Sequence, residues 1–400
     1  MTDSLPPATG KSHKILADID GFVVDAMCNS QIPGCQFAVS KDGKLVYSRG
    51  FGFACREKKT AVEPRHLFRI ASVSKSLTAV GVMKLVESGS VNLDDRAFAI
   101  LHKLAPSKKN VVDSRIFDIT VRNLLEHSAG FTKDDRDPTV EYLRIAADRF
   151  KRPRPADAKT IIRYTAFQPL KFEPGSTGSY ANVGYSILGR IIEEITGVPY
   201  ERYMQDEVFR VAGMTSMKLG RTKLVDQHPE EVYYFDADGD YILDSYSLFD
   251  DEPYPVPLSY GAKYYLEALD ACGGWTATAT DLVKFICSID GRSQRPQILK
   301  EETIKAMTER PAFEPADSEQ YYAKGWVIHP GKDKWFNFGG MEYGTSSGIF
   351  RLPNGVNAAF LANHVRNDRL IFANMADLTW KISQRSQWPE IDLFNRAVLS

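Results

Sequence analysis

Ser72-Val73-Ser74-Lys75 opens the apolar run 77–89 and sets a lysine three positions after a serine at the start of a predicted helix. Residues three apart share one helical face, with Cβ atoms about 5–6 Å apart, so the Lys75 ammonium can reach the Ser72 hydroxyl. That pairs a nucleophile with a candidate base. Taken alone the S-x-x-K pattern is weak, since about one is expected by chance in a chain of this length. Its neighbours decide the matter.

Roughly a hundred residues downstream, Pro174 and Gly175 predict a turn. Tyr180-Ala181-Asn182 then leads into an apolar run holding Ile187, Leu188, Ile191, Ile192 and Ile195, which places a phenol and an amide where a loop enters a helix. With Ser72 and Lys75, this Y-x-N element resembles the penicillin-recognising serine enzymes: class C β-lactamases, DD-peptidases and the related carboxylesterases and acyltransferases. The class A version of the set carries S-D-N in its place. Other segments match in the same order, from about Phe37 to Ala362. They are the hairpin around Asp42-Gly43, Leu124 to Gly130 with His127, the turn Gly213-Met214, Cys272-Gly273-Gly274-Trp275, and Tyr322 to Trp326.

The third catalytic element departs from the pattern. Relatives carry Lys-Thr-Gly or His-x-Gly on the strand that closes the site, whereas the match here is Asn337-Phe338-Gly339-Gly340. The usual cation, which helps hold a substrate carboxylate, is replaced by a neutral amide; Lys324 or Arg366 is the candidate to restore it from another direction. The resemblance implies catalytic roles for Ser72, Lys75 and Tyr180, and substrate contacts from Asn182, Asn337, Gly339 and Gly340. It also implies an oxyanion hole built from the Ser72 N–H and an N–H near Gly340, with Asn182 orienting Lys75 and His127 bracing the site. Either Lys75 in its uncharged form or Tyr180 as phenolate serves as base. No cofactor and no metal is expected, and the implied substrate is a small ester, amide or lactam; an esterase or amidase is the expectation, with acyl transfer, β-lactamase or D-peptidase activity, and a binding protein that keeps the fold without catalysis as the alternatives.

Composition narrows the partners. A net charge of −1 argues against nucleic acid, whose binders usually show a basic stripe. No apolar run approaches the ~20 residues of a membrane span, and residues 1–14 show no secretory h-region. The five cysteines, Cys28, Cys35, Cys55, Cys272 and Cys287, are odd in number and lack metal-ligand spacing. They read as reduced, mostly buried thiols, and the expectation is a cytoplasmic protein.

The periodicities predict a helix near 15–27, a hairpin over 37–53, a second hairpin over 347–363 turning at Asn354-Gly355, and a helix near 370–382. Strands at both ends imply one sheet assembled from distant segments, and the expected fold class is mixed α/β (α+β). It is a β-lactamase/transpeptidase-like architecture: an antiparallel sheet flanked by terminal helices, plus an inserted all-α lobe. The expected organisation is a single catalytic domain over 1–400, with an α/β lobe from about 1–63 and 270–400 and an α-rich lobe from about 64–269.

Three features invite other readings. Gly344-Thr345-Ser346-Ser347-Gly348 matches the G-x-S-x-G nucleophile elbow, but the elbow needs a helix after its serine and the next residues read as strand. Asp236-Ala237-Asp238-Gly239-Asp240 suggests a calcium loop, yet the twelfth position is Ser247 where a glutamate is required. The acidic and aromatic stretch 225–265 reads equally as a solvated excursion or as a wall or lid of the substrate cleft.

Overall fold

The structure is a computed structural model that describes residues 6–133, 136–235, 247–250, 256–341, 344–364 and 368–395. Its frame is a nine-stranded antiparallel sheet. The order is Ala8–Ser12, Lys44–Cys55, Gly34–Lys41, Val356–Ala362, Thr345–Arg351, Lys334–Met341, Val327–His329 and Tyr321–Tyr322, with Thr60–Ala61 paired to Lys44–Cys55. The two hairpins turn where the sequence suggests. Asp42 and Gly43 have φ of 49° and 77°, and Asn354 and Gly355 have φ of 61° and 70°. Two successive positive φ values define the tight turn whose twist matches paired strands, and Asp-Gly and Asn-Gly adopt it at low cost. The sheet closes at its centre, where Gly34–Lys41 pairs with Val356–Ala362.

Side chains alternate across that sheet. Phe37, Val39, Ala358 and Phe360 face outward into a core with Ile19, Val23 and Met27 of the Asp18–Ser30 helix and Ile371, Met375 and Leu378 of the Asp368–Ser383 helix. Ala38, Ala359 and Leu361 face the other way, into a larger core with the helices Ser74–Glu87, Asn182–Thr196, Leu266–Gly273 and Ala279–Cys287. The described residues between 64 and 269 are mainly helix and loop. A three-stranded patch of Phe68–Arg69, Trp275–Ala277 and Lys218–Leu219 links this part to the sheet. Every residue from Ser74 to Met83 is buried, the mark of a helix enclosed on all sides. Among the described residues, no helix is long and apolar enough to cross a membrane. All five cysteines are free; Cys35, Cys272 and Cys287 are buried, Cys55 is intermediate and Cys28 is exposed.

Candidate active site

Ser72 sits in a 3-10 turn, Ala71–Val73, that runs directly into the Ser74–Glu87 helix. The expectation of a serine within the helix is thus shifted by one turn type, without changing which residues meet. Ala71 has φ of +43°, a backbone region that residues with a Cβ enter at a cost, and such outliers gather at functional sites. The strands hold the turn in place. Thr345 Oγ1 and Ser347 Oγ donate to the carbonyls of Arg69 and Ile70, each at 2.7 Å. Gly339 lies closest: a Cβ there would stand 2.3 Å from the Ile70 carbonyl oxygen and 2.8 Å from the Ser72 nitrogen. Only a residue without that atom lets the strand lie so near.

Three sequence-expected side chains converge on one oxygen. Lys75 Nζ lies 3.0 Å from Ser72 Oγ and Tyr180 OH 2.7 Å from it. Lys75 is fully buried, and its ammonium also donates to the Cys272 carbonyl at 2.7 Å while lying 4.9 Å from the centre of the Tyr180 ring. Ser72 and Tyr180 are half-buried, so the cluster has a dry end at Lys75 and a wet end at the hydroxyls. Burial pushes the Cys272 thiol up to about 11, which leaves the backbone carbonyl as this residue's contribution.

Asn182, Asn337 and Gly340 are placed differently from one another. Asn182 opens the Asn182–Thr196 helix, and its Nδ2 donates to Asp137 Oδ2. Lys75 is therefore oriented by the Cys272 carbonyl, whereas the sequence reading gave that task to Asn182. Asn337 is buried, and its Nδ2 donates to Ser76 Oγ at 2.9 Å, the Ser72 carbonyl at 3.2 Å and the Gly325 carbonyl at 3.3 Å. It braces the Ser72 turn from behind, a correction to the expectation that it faces substrate. Gly340, one strand position beyond Gly339, is exposed. Lys324 is 1% exposed and pairs with Glu126 at 2.8 Å, so its charge is spent inside the protein. Arg366 lies outside the described residues, as do the calcium-loop candidate 236–240 and the middle of the acidic aromatic stretch. The ends of that stretch are anchored: Arg69 pairs with Glu231 at 3.1 Å and lies over the rings of Tyr234 and Tyr260. Lys133, which sequence reasoning passed over, is exposed with its Nζ 5.2 Å from the Tyr180 ring centre. Ser346 is buried and gives its hydroxyl to the His364 carbonyl at 3.2 Å. A strand follows it, so the elbow reading fails.

His127 holds the backbone on both sides of Tyr180. Its carbonyl accepts the Ser179 N–H at 2.8 Å, and its Nδ1 accepts the Ala181 N–H at 3.3 Å. Its ring stands 4.3 Å from that of Tyr180 and 4.7 Å from that of Tyr322. Burial, reinforced by the neighbouring Lys75 charge, pulls its pKa well below the ordinary 6.5. A base whose folded pKa is depressed is neutral in the native state and takes up a proton on unfolding, so its contribution to stability is present above about 6.5 and lost as pH falls below it. Unfolding free energy is expected to drop by up to about 1.4 kcal/mol per pH unit there. Urea unfolding between pH 7 and pH 5 checks this: His127→Gln should lose that part of the slope, and parallel curves would refute it.

The sequence model of the Beta-lactamase family matches residues 19–378. A protein of Escherichia coli (strain K12) provisionally named D-alanyl-D-alanine carboxypeptidase is 26% identical over 223 residues, 54% of this chain and 49% of that one. The chain thus spans about half the length of the curated relatives it matches. Among solved structures, D-amino acid amidase from Ochrobactrum anthropi SV3 superimposes with a TM-score of 0.69 at 22% identity, covering 93% of this chain and 100% of that one. EstCE1, described as a hydrolase with promiscuous acyltransferase activity, gives a TM-score of 0.67 at 19% identity over 90% and 97% of the two chains. These likenesses establish a β-lactamase/transpeptidase-like fold, as expected from the sequence.

Proposed function

We propose, from the premise that this chain belongs to the Beta-lactamase family, that it is a serine hydrolase working through a covalent acyl-Ser72 intermediate on small esters or amides. One observation carries the reading: Lys75 Nζ at 3.0 Å and Tyr180 OH at 2.7 Å both address Ser72 Oγ. A hydroxyl so flanked can pass its proton to the Lys75–Tyr180 unit as its oxygen attacks a carbonyl, and the same unit can return that proton to the leaving group. The developing oxyanion would be held by the Ser72 N–H, at the positive end of the buried Ser74–Glu87 helix, and by the N–H of exposed Gly340. Water then releases the acyl group. A second reading, transfer to another acceptor, draws on the activity described for EstCE1. A fluorophosphonate probe followed by peptide mapping tests the proposal, and an unlabelled Ser72 in folded protein refutes it.

Substrate choice is expected to follow from the strand position of Asn337, where relatives carry a cation and this chain carries a neutral amide turned inward to Ser76 and Gly325. A unit charge about 4 Å from a carboxylate is worth on the order of 4 kcal/mol at an effective dielectric of 20, or roughly three decades in rate. Lys324, neutralised by Glu126, does not replace it, and the exposed Lys133 lies at the Tyr180 ring and not on the strand that carries Asn337. Short p-nitrophenyl esters are therefore expected to be turned over far faster than substrates gripped by a leaving-group carboxylate. The check is kcat/KM for p-nitrophenyl butyrate against nitrocefin, and values within about tenfold of each other would sink the idea.

A further inference from the structure

The segment after His127 is pinned to the loop that precedes Tyr180. The Gly175 N–H donates to the Ser128 carbonyl at 2.8 Å and the Lys171 N–H to the Gly130 carbonyl at 2.9 Å. From this anchor the chain passes through the buried Phe131 and delivers the exposed Lys133, its Nζ 5.2 Å from the centre of the Tyr180 ring. Among the described residues Lys133 forms no ion pair. The Asp137 carboxylate, further along the same loop, does not answer it: its Oδ1 accepts the Thr139 N–H at 2.9 Å and the Thr139 hydroxyl at 2.7 Å, and its Oδ2 accepts from Asn182 Nδ2. A lysine charge thus stands uncommitted at the wet end of the Ser72 cluster.

We propose that Lys133 is a specificity-determining residue that pairs with a carboxylate at the far end of the acyl group delivered to Ser72, so that the protein takes half-esters or half-amides of dicarboxylic acids. This rests on the reading of Ser72 as nucleophile. A substrate whose carbonyl lies at Ser72 extends in two directions. Along Lys334–Met341, where relatives hold a leaving-group carboxylate, this chain offers only the inward-turned Asn337 amide. Lys133 belongs to the other wall, the segment beside Tyr180, and so meets the acyl arm. The Tyr180 phenol reaches from one to the other, its OH on Ser72 Oγ and its ring beside the ammonium, which sets the carboxylate several atoms from the scissile carbon. Lys75 is left out of this balance: its Nζ is committed to Ser72 and the Cys272 carbonyl, and its proton moves during the reaction.

The experiment compares two p-nitrophenyl esters of matched length, mono-p-nitrophenyl adipate and its methyl ester, each rate divided by that of hydroxide to remove intrinsic reactivity. In the intact protein, kcat/KM for the free acid is expected to exceed that for the methyl ester by about fivefold at low salt, as an exposed ion pair allows. The difference should lie chiefly in KM and be largely screened in about 1 M NaCl. Lys133→Met should bring the ratio near unity, Lys133→Arg should keep it, and Lys133→Glu should reverse it. A ratio near one in the intact protein overturns the proposal. So does a Lys133→Met variant that lowers both rates together and keeps their ratio, which would place the effect of the lysine on Tyr180 or on the fold. A Lys133-dependent preference that appears only with the carboxylate on the leaving group, 3-carboxy-4-nitrophenyl butyrate against p-nitrophenyl butyrate, overturns the acyl assignment. If Ser72 is labelled by fluorophosphonate and the ratio is flat, only this proposal fails. If Ser72 is neither labelled nor needed for turnover, the reading beneath it fails as well.

Discussion

Ser72→Ala is expected to lower hydrolysis of p-nitrophenyl butyrate by at least about a thousandfold, because removing the attacking atom removes the covalent route altogether. The substitution takes away one half-buried hydroxyl, so the folded state should survive and the loss should appear in kcat. Ser346→Ala is the matched control. Its hydroxyl is buried and spent on the His364 carbonyl, so the variant should retain most activity at a cost of about 1 kcal/mol in stability. A dead Ser346 variant beside an active Ser72 variant would bring down the mechanism.

The second large effect concerns the proton. Lys75→Met and Tyr180→Phe should each lower kcat/KM by about a hundredfold or more, and the double variant should be little worse than either. The two groups address the same oxygen and lie in contact, and residues that act as one unit are strongly non-additive. The measurement is a four-member cycle at fixed pH. Penalties that multiply would mean that the two side chains work independently.

How much of this is legible in the sequence depends on whether the information is local. The S-x-x-K spacing, the Asp42-Gly43 and Asn354-Gly355 turns and the amphipathic terminal helices are short-range signals, and the structure keeps them with ends shifted by a few residues. The helix predicted at 15–27 runs from Asp18 to Ser30, for example. Asn337 shows where such signals stop. Whether it faces the cleft or lies behind Ser72 depends on which face of the strand it occupies, and a register difference of one residue inverts that face. Partners supplied by the backbone are equally hidden. No side-chain pattern announces that the Cys272 carbonyl will hold Lys75. Asp137 caps the adjacent Pro138–Glu141 helix, but its second partner, Asn182, is 45 positions away, and only the fold brings the two together.

The central pairing of Gly34–Lys41 with Val356–Ala362 bears on when a newly made molecule can become active. A ribosome emits the Ser72 segment long before the strands that hold it. Thr345, Ser347 and Asn337 fasten the backbone of Arg69, Ile70 and Ser72, and all three emerge some 265 residues or more behind their partners. At ~5–20 residues per second, the serine waits many seconds for its support. Such distant pairings also close slowly. A nascent chain stalled before the Val356–Ala362 strand should therefore carry every proposed catalytic side chain and still be inert toward a fluorophosphonate, with reactivity arriving only as the last strands dock.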